Sequence, residues 1–238
     1  MDERGFMAHI IVISTLPSAF PGILSHGIVG VAMKKNLWSL DVINLYDFGI
    51  GIHKKIDDTP YGGGAGMVIM ADVLGDAIRH VQTKYSNSNI NYYYMSPRGE
   101  IFNQNIARNL SDRLVDGNLI CIICGRFEGI DSRVIDFFDI KEISLGRYVL
   151  SNGEIAAMTL IDAVVRLLPD AVGNQDSLTS ESFSDENCEV LEYDQYTKPA
   201  TWNGISIPEV LLSGHHENIK KWRKENSLKR TNKPLKKE

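Results

Sequence analysis

Short apolar runs alternate with longer segments of helical periodicity along the first 168 residues of this chain. The run at 9–14 is continuously apolar in its middle, which is typical of a strand covered on both faces. The segment 71–85 instead places Leu74, Ile78 and Val81 at helical spacing. This alternation predicts an α/β fold with a mainly parallel sheet and flanking helices. The predicted strands are 9–14, 38–45, 91–96, 119–124 and 140–144, and the predicted helices are 23–36, 71–85, 103–114, 131–137 and 154–168.

The composition changes after Pro169. Residues 170–194 contain eight acidic side chains and no basic one, with many Ser, Asn and Gly, which predicts an exposed linker. A basic helical segment at 216–224 follows. We therefore predict a first domain at 1–170, an acidic linker at 171–186 and a small helical domain at 187–238.

The formal charge of the chain is -5, which taken alone argues against a nucleic-acid partner. The charge is unevenly distributed, however. Residues 215–238 carry nine basic and three acidic side chains, a balance of +6, whereas the preceding 214 residues carry 16 basic and 27 acidic ones. A basic tail on an acidic body leaves nucleic acid open as a partner.

Three cysteines cannot form a disulfide framework, and residues 1–7 lack the plan of a secretory signal. We therefore expect a cytoplasmic protein. The longest apolar stretches are far shorter than the ~20 residues that span a bilayer, so no membrane partner is expected.

Glycine is concentrated in four segments, of which 60–66 is the densest. Its pattern lacks the third glycine of a dinucleotide fingerprint, because Met67 stands there, and no Gly-Lys-Ser/Thr of a phosphate-binding loop follows. The segment is a flexible turn or a ligand loop, and neither a dehydrogenase nor a nucleoside triphosphatase is favoured. The other three segments, 94–99, 124–131 and 144–153, each follow a predicted strand, which is where α/β sheets bind ligands.

The Cys121/Cys124 pair has metal-site spacing but lies inside a predicted strand with no second pair, which favours buried core cysteines. The six histidines show no zinc-binding spacing. We therefore expect no metal site.

Several long motifs occur together in one order: 60–67 (PYGGGAGM), 124–131 (CGRFEGID), 148–151 (YVLS), 158–162 (MTLID), 211–214 (LLSG), 216–223 (HENIKKWR) and 227–231 (SLKRT). Together they resemble the bacterial tRNA (guanine-N1)-methyltransferases, which modify guanine 37 beside the anticodon. The resemblance covers roughly residues 8–231.

The resemblance implies a trefoil-knotted fold of the SPOUT class, a homodimer with an active site shared between subunits, and S-adenosylmethionine as methyl donor. Divalent-ion dependence is known in the family, so Mg²⁺ is an expectation from the resemblance alone. Carried over by motif, the donor contacts are Met95, Ser96, Pro97, Gly125, Glu128, Leu145, Gly146, Arg147, Tyr148, Val149 and Leu150.

Methylation of guanine N1 requires a base for the N1 proton and a donor for the charge that develops on O6. The family's base is an Asp followed by Ser-Phe, and Glu181 stands in that register, so we assign Glu181 as general base. Asp176 and Asp185 are nearby alternatives for the general base. The non-functional interpretation of Glu181 is a solvated carboxylate in the linker. Arg166 matches the family's Arg, and we assign it to O6 or an adjacent phosphate, with a surface ion pair as its alternative.

The basic segment supplies Lys220, Lys221, Arg223 and Lys224 as expected phosphate contacts. Trp222 packs in a core or stacks on a base, and the first is the commoner case. Two positions depart from the family pattern in the donor loop. Arg147 replaces an Asp, and Asn152 replaces a Gly, where we expect Asn to tolerate a left-handed backbone.

Two other functions remain open at this stage. One is a knotted methyltransferase that acts on a different RNA position. The other is an RNA-binding relative with impaired catalysis, suggested by Glu181 in place of Asp.

Overall fold

The computed structural model describes residues 7–173, 181–184 and 190–232, and the chain divides into two compact units at 1–173 and 174–238. The first unit is built on five parallel strands in the order β2-β1-β6-β5-β7, which confirms the predicted α/β fold with a mainly parallel sheet and flanking helices. Its strands are β1 (Ala8–Ser14), β2 (Trp38–Asn44), the antiparallel pair β3 (Asp57–Asp58) and β4 (Val68–Ile69), β5 (Ile90–Ile101), β6 (Leu119–Cys124) and β7 (Lys141–Ser144). Its helices are α1 (Gly27–Lys34), α2 (Ala71–Lys84), α3 (Gln104–Val115), α4 (Ser132–Phe137) and α5 (Gly153–Val165).

The two faces of the sheet carry separate apolar cores. Every residue of the central strand β6 is buried, because helices cover both of its faces. On one face, side chains of α1, α3 and α5 form a core that includes Leu110 and Leu160. On the other face, α2 and α4 contribute Leu74, Ile78 and Val134. Burial of each large aliphatic side chain stabilises the fold by about 1.5–3 kcal/mol.

Strand β5 is longer than its apolar run predicts and contains an irregularity. Both Met95 and Glu100 pair with Ile143 of β7, so residues 96–99 leave the ladder between them. Pro97 fits this position, because proline has no N–H to donate to a ladder. The excursion carries Ser96 and Pro97 out at the carboxyl end of the apolar part of β5.

Three helix boundaries differ from the sequence predictions. The segment predicted as a helix at 23–36 is a 3₁₀ turn at Gly22–Ser25 followed by α1, and Gly27, the first residue of α1, has a positive φ of 59°. A positive φ interrupts a right-handed helix, which explains the break. Helix α5 ends at Val165 rather than Leu168, and the basic helix, α6, continues past 224 to Thr231.

The second unit combines a small hairpin, β8 (Thr201–Trp202) and β9 (Ile205–Ser206), with helix α6 (His216–Thr231). Trp222 is half-buried, and its ring centroid lies 6.5 Å from that of Tyr193 and 6.2 Å from that of Tyr196. The backbone N–H of Asp194 also donates to Asn226 Oδ1 at 2.7 Å. These contacts hold α6 against the segment that precedes the hairpin.

None of the helices that the structure describes is long and apolar enough to cross a membrane.

Candidate active site

A cleft opens where the end of the apolar part of β5 and the carboxyl ends of β6 and β7 meet the start of α5. The parallel direction of the three strands brings their loops to one edge of the sheet, as in other α/β ligand sites. The cleft is lined by Tyr94, Met95, Ser96, Pro97, Gly125, Arg126, Phe127, Glu128, Gly129, Ile143, Ser144, Leu145, Gly146, Tyr148, Leu150, Ser151, Asn152, Gly153 and Ala156.

The structure brings most of the predicted donor contacts together around this cleft. Nine of them line it: Met95, Ser96, Pro97, Gly125, Glu128, Leu145, Gly146, Tyr148 and Leu150. Arg147 and Val149 lie in the same loop but are not part of the lining, and Val149 is 84% exposed. The three loops named from the sequence therefore form one concave site.

The floor of the cleft is held by a close contact between backbones. The N–H of Gly153 donates to the carbonyl of Gly125 at 2.8 Å. A Cβ at position 153 would lie 2.5 Å from the nitrogen of Gly125 and 2.9 Å from Cys124 Cα. Only glycine fits there, because a methyl group would overlap backbone atoms that cannot move aside.

The side chain of Asn152 has an unpaired hydrogen-bond acceptor at the edge of the cleft. Its Oδ1 is buried and has no hydrogen-bond partner. The backbone of Asn152 is extended, with φ −161°, so the expectation of a left-handed conformation is wrong. The residue precedes the first turn of α5, where extended backbone is the rule. A buried acceptor left unpaired costs about 1–3 kcal/mol, so a ligand N–H or O–H in the cleft would recover that free energy.

The prediction missed several residues of the lining. Arg126 and Phe127 stand inside the 124–131 motif, between Gly125 and Glu128. The guanidinium of Arg126 donates to Thr15 Oγ1 at 3.4 Å and lies 5.7 Å from the centroid of the Phe127 ring. Their position within the motif is the signal that could have found them.

Comparisons with known proteins decide the family. A family model described as tRNA (Guanine-1)-methyltransferase TrmD matches residues 8–236. The chain belongs to the tRNA (guanine-1)-methyltransferase family. The resemblance found in the motifs is thereby confirmed.

Curated relatives agree with this family. A tRNA (guanine-N(1)-)-methyltransferase of Wolbachia pipientis wMel is 48% identical over 219 residues, which cover 92% of this chain and 90% of the relative. Proteins of the same name from Ruegeria sp. (strain TM1040) and Rickettsia africae (strain ESF-5) are 48% and 47% identical. Each alignment covers 92% of this chain, together with 87% and 92% of the respective relative.

A methyltransferase of this family uses S-adenosylmethionine as donor, and the cleft fits that molecule. Glycine backbones at the floor allow close approach, and the unpaired Oδ1 of Asn152 can accept from a hydroxyl or amino group.

The two proposed catalytic residues of this methyltransferase stand apart from the cleft lining. Arg166 is the residue after α5, whereas the cleft lies at the first turn of that helix. Thirteen residues of helix separate them by about 20 Å, so Arg166 does not reach the cleft of its own first unit. Glu181 belongs to the second unit, is half-buried, and its carbonyl accepts from the N–H of Ser184 at 3.2 Å. The alternatives Asp176 and Asp185 lie outside the described residues.

The four predicted RNA contacts, Lys220, Lys221, Arg223 and Lys224, are all exposed on α6. Lys221 lies 3.9 Å from Glu225, a separation at which the two charges partly offset each other. The Arg223 guanidinium lies 4.8 Å from the centroid of the Tyr193 ring. Lys220 and Lys224 occupy one face of the helix, one turn apart.

Cys121 and Cys124 are core residues, as the sequence predicted. Cys121 and Cys124 are buried and free, and burial raises the pKa of each thiol. Within residues 7–173, 181–184 and 190–232, no three His, Cys, Asp or Glu side chains are grouped so that they could hold a metal ion.

Proposed function

We propose that the protein transfers a methyl group from S-adenosylmethionine to N1 of guanine 37 in the anticodon loop of tRNA, with Glu181 as general base. Methyl transfer to guanine N1 of tRNA follows from the family. The observation that carries the proposal is the single cleft formed by three motif loops at the carboxyl ends of parallel strands.

The chemistry assigns a task to each catalytic group. The donor, when bound, supplies an activated methyl group. The protein must therefore orient the guanine and remove one proton from it. Glu181 accepts the N1 proton of guanine, which frees the lone pair on N1. Arg166 donates to O6, where negative charge develops, or to an adjacent phosphate. An anticodon-loop base has to leave its stack to enter such a site.

We propose that two subunits form each active site. The distance along α5 separates Arg166 from the cleft of its own first unit, so the cleft and Arg166 of one site come from different copies. Apolar side chains on the surface formed by the 3₁₀ turn at Gly22–Ser25, α1 and α5 support a homodimer. Ile23 is 70% exposed and Ile155 is 53% exposed, which is unusual for large aliphatic side chains unless another surface covers them.

We propose that residues 187–238 form the tRNA-binding domain and that residues 171–186 link it to the methyltransferase domain at 1–170. The exposed cations of α6 support this assignment, because Lys and Arg neutralise phosphates whatever the base sequence. The trefoil knot, Mg²⁺ dependence and a cytoplasmic location stay predictions from the sequence and the family resemblance.

One assay separates the proposal from its alternatives. Labelled donor is incubated with tRNA transcripts that differ only in guanine or adenine at position 37, and the labelled nucleoside is located by digestion. We expect 1-methylguanosine at position 37 of the guanine transcript and no transfer to the adenine transcript. Transfer to another position supports a different knotted RNA methyltransferase, and binding of tRNA without transfer supports a catalytically impaired relative.

A further inference from the structure

Glu154 is a fully buried acidic residue beside the cleft. Its side chain and backbone are only 2% exposed, and it is the one charged residue among the buried polar residues of the described chain. It is the second residue of α5. Acidic side chains are rarely buried to this extent unless they are paired, so its place in the core requires an explanation.

The carboxylate has a single hydrogen-bond donor. Ser14 Oγ, at the end of β1, donates to Glu154 Oε1 at 2.7 Å, and the same Oγ accepts from the N–H of Leu16 at 2.8 Å. Glu154 Oε2 is buried and has no partner. Within the described residues no Lys, Arg or His forms an ion pair with this carboxylate. The positive end of the α5 dipole stabilises an anion here in part, but a whole buried charge demands a stronger counterpart.

Glu154 is adjacent in the chain to the floor of the cleft. Gly153, the preceding residue, is fastened to Gly125 by a 2.8 Å hydrogen bond, and both line the cleft. Ala156, two residues further on, lines it as well. Burial is the main cause of a raised pKa at the thiol of Cys124, the residue before Gly125, and Glu154 raises that pKa further.

We propose that Glu154 is a specificity-determining residue for the donor: its buried negative charge favours the cationic sulfonium of S-adenosylmethionine over the neutral thioether of S-adenosylhomocysteine. Methyl transfer removes the positive charge from the bound molecule. The product therefore loses an attraction that the donor had, and exchange for a new donor is favoured. Charges interact over several ångströms in a low-dielectric interior, so direct contact is not required.

The test compares a neutral isostere with the wild type. Glu154→Gln keeps an acceptor for Ser14 and removes the charge. We expect titration calorimetry to show donor affinity about fivefold or more weaker, with the affinity for S-adenosylhomocysteine changed less than about twofold. Sinefungin has a charged amine in place of the sulfonium, so its affinity should fall by about the same factor as that of the donor.

Two variants control for a structural role. Ser14→Ala removes the hydrogen bond and keeps the charge, and Glu154→Asp keeps a carboxylate, so both should retain the wild-type ratio of donor to product affinity. If Glu154→Gln does not fold, the double variant Ser14→Ala/Glu154→Met removes both polar partners together and should show the same lowered ratio. An unchanged ratio in the folded neutral variant overturns the proposal, whether both affinities are retained or both fall equally.

The inference rests on the proposed function, since it presumes this donor. The two can fail separately. A wild-type protein that binds neither S-adenosylmethionine nor its product contradicts the proposed function. A wild-type protein that binds both and methylates tRNA, with an unchanged affinity ratio in Glu154→Gln, contradicts the inference alone.

Discussion

Gly153 shows at the scale of one residue how the cleft depends on backbone contact. A Cβ there would lie 2.5 Å from the nitrogen of Gly125, so Gly153→Ala must push α5 away from the floor of the cleft. We expect the free energy of unfolding to fall by about 1–3 kcal/mol and donor affinity to fall at least about tenfold. Thermal unfolding and titration calorimetry measure the two effects.

Gly173→Ala is the matched control for that substitution. A Cβ at Gly173 meets no atom within 4 Å, and the residue has no positive φ. Its stability should stay within about 0.5 kcal/mol of the wild type, with unchanged donor affinity. Equal behaviour of the two variants would contradict the role given to the contact between Gly153 and Gly125.

Glu181 carries the chemical claim at the residue scale. Glu181→Ala should lower single-turnover methyl transfer about 10²–10⁴-fold, the usual contribution of a general base, while donor affinity stays at the wild-type value. Titration calorimetry and rapid quench with labelled donor make the comparison. Wild-type turnover in Glu181→Ala would refute the assignment.

Glu181→Asp asks what the additional methylene does. The family carries Asp in this register, so the shorter carboxylate should retain activity. A variant as active as the wild type, or more active, means that the site tolerates the longer side chain rather than requiring it. Loss of activity to the level of Glu181→Ala would mean that the longer side chain of Glu is needed to bring the carboxylate to the N1 proton.

At the scale of elements, α6 is the candidate surface for RNA. Lys220 and Lys224 lie one turn apart and are exposed, so Lys220→Ala/Lys224→Ala should weaken tRNA binding and reduce the slope of log affinity against log salt by about two. Filter binding over a range of salt concentrations measures both. Lys141→Ala, at the exposed first residue of β7, is the control and should leave affinity and slope unchanged. Equal slopes of log affinity against log salt for both variants would contradict the assignment of α6 to the RNA interface.

Sequence periodicity predicted the elements in which each face is either wholly covered or wholly exposed. Strand β6 is apolar throughout because both faces are covered, and α2 is amphipathic because one face is covered. It did not predict the excursion at 96–99, because that depends on pairing between β5 and β7, which are distant in the chain. Nor did it predict the break at Gly27, since a glycine inside a helical pattern is compatible with either conformation.

The parts of the site that lie within contiguous sequence motifs were predictable from the sequence. Three loops that follow parallel strands must share an edge, so their motifs named nine residues of the cleft. The sequence did not show that the Oδ1 of Asn152 is unpaired or that Glu154 is buried, because both are properties of packing. By contrast, the predicted helix at 154–168 already placed Arg166 near its far end, in agreement with the bounds of α5.

At the scale of the whole molecule, the uneven charge is consistent with a division of labour. The acidic body holds the cleft proposed for the cationic donor, and the basic tail supplies the cations proposed to bind phosphates. The proposed site requires a second subunit, because about 20 Å of helix α5 separates the cleft from Arg166. The central claim is therefore that the donor cleft of one copy works with the catalytic residues of another.

Complementation between two impaired variants tests this claim most directly. Differently tagged Gly153→Ala and Glu181→Ala chains are co-expressed, the mixed dimer is isolated, and methyl transfer to guanine-37 tRNA is measured with the donor held below its wild-type dissociation constant. The mixed dimer should contain one intact site and regain about half of the wild-type activity per dimer, while each parent stays at least about tenfold less active than the wild type. An inactive mixed dimer, or a wild-type protein that is active as a monomer, would contradict the account.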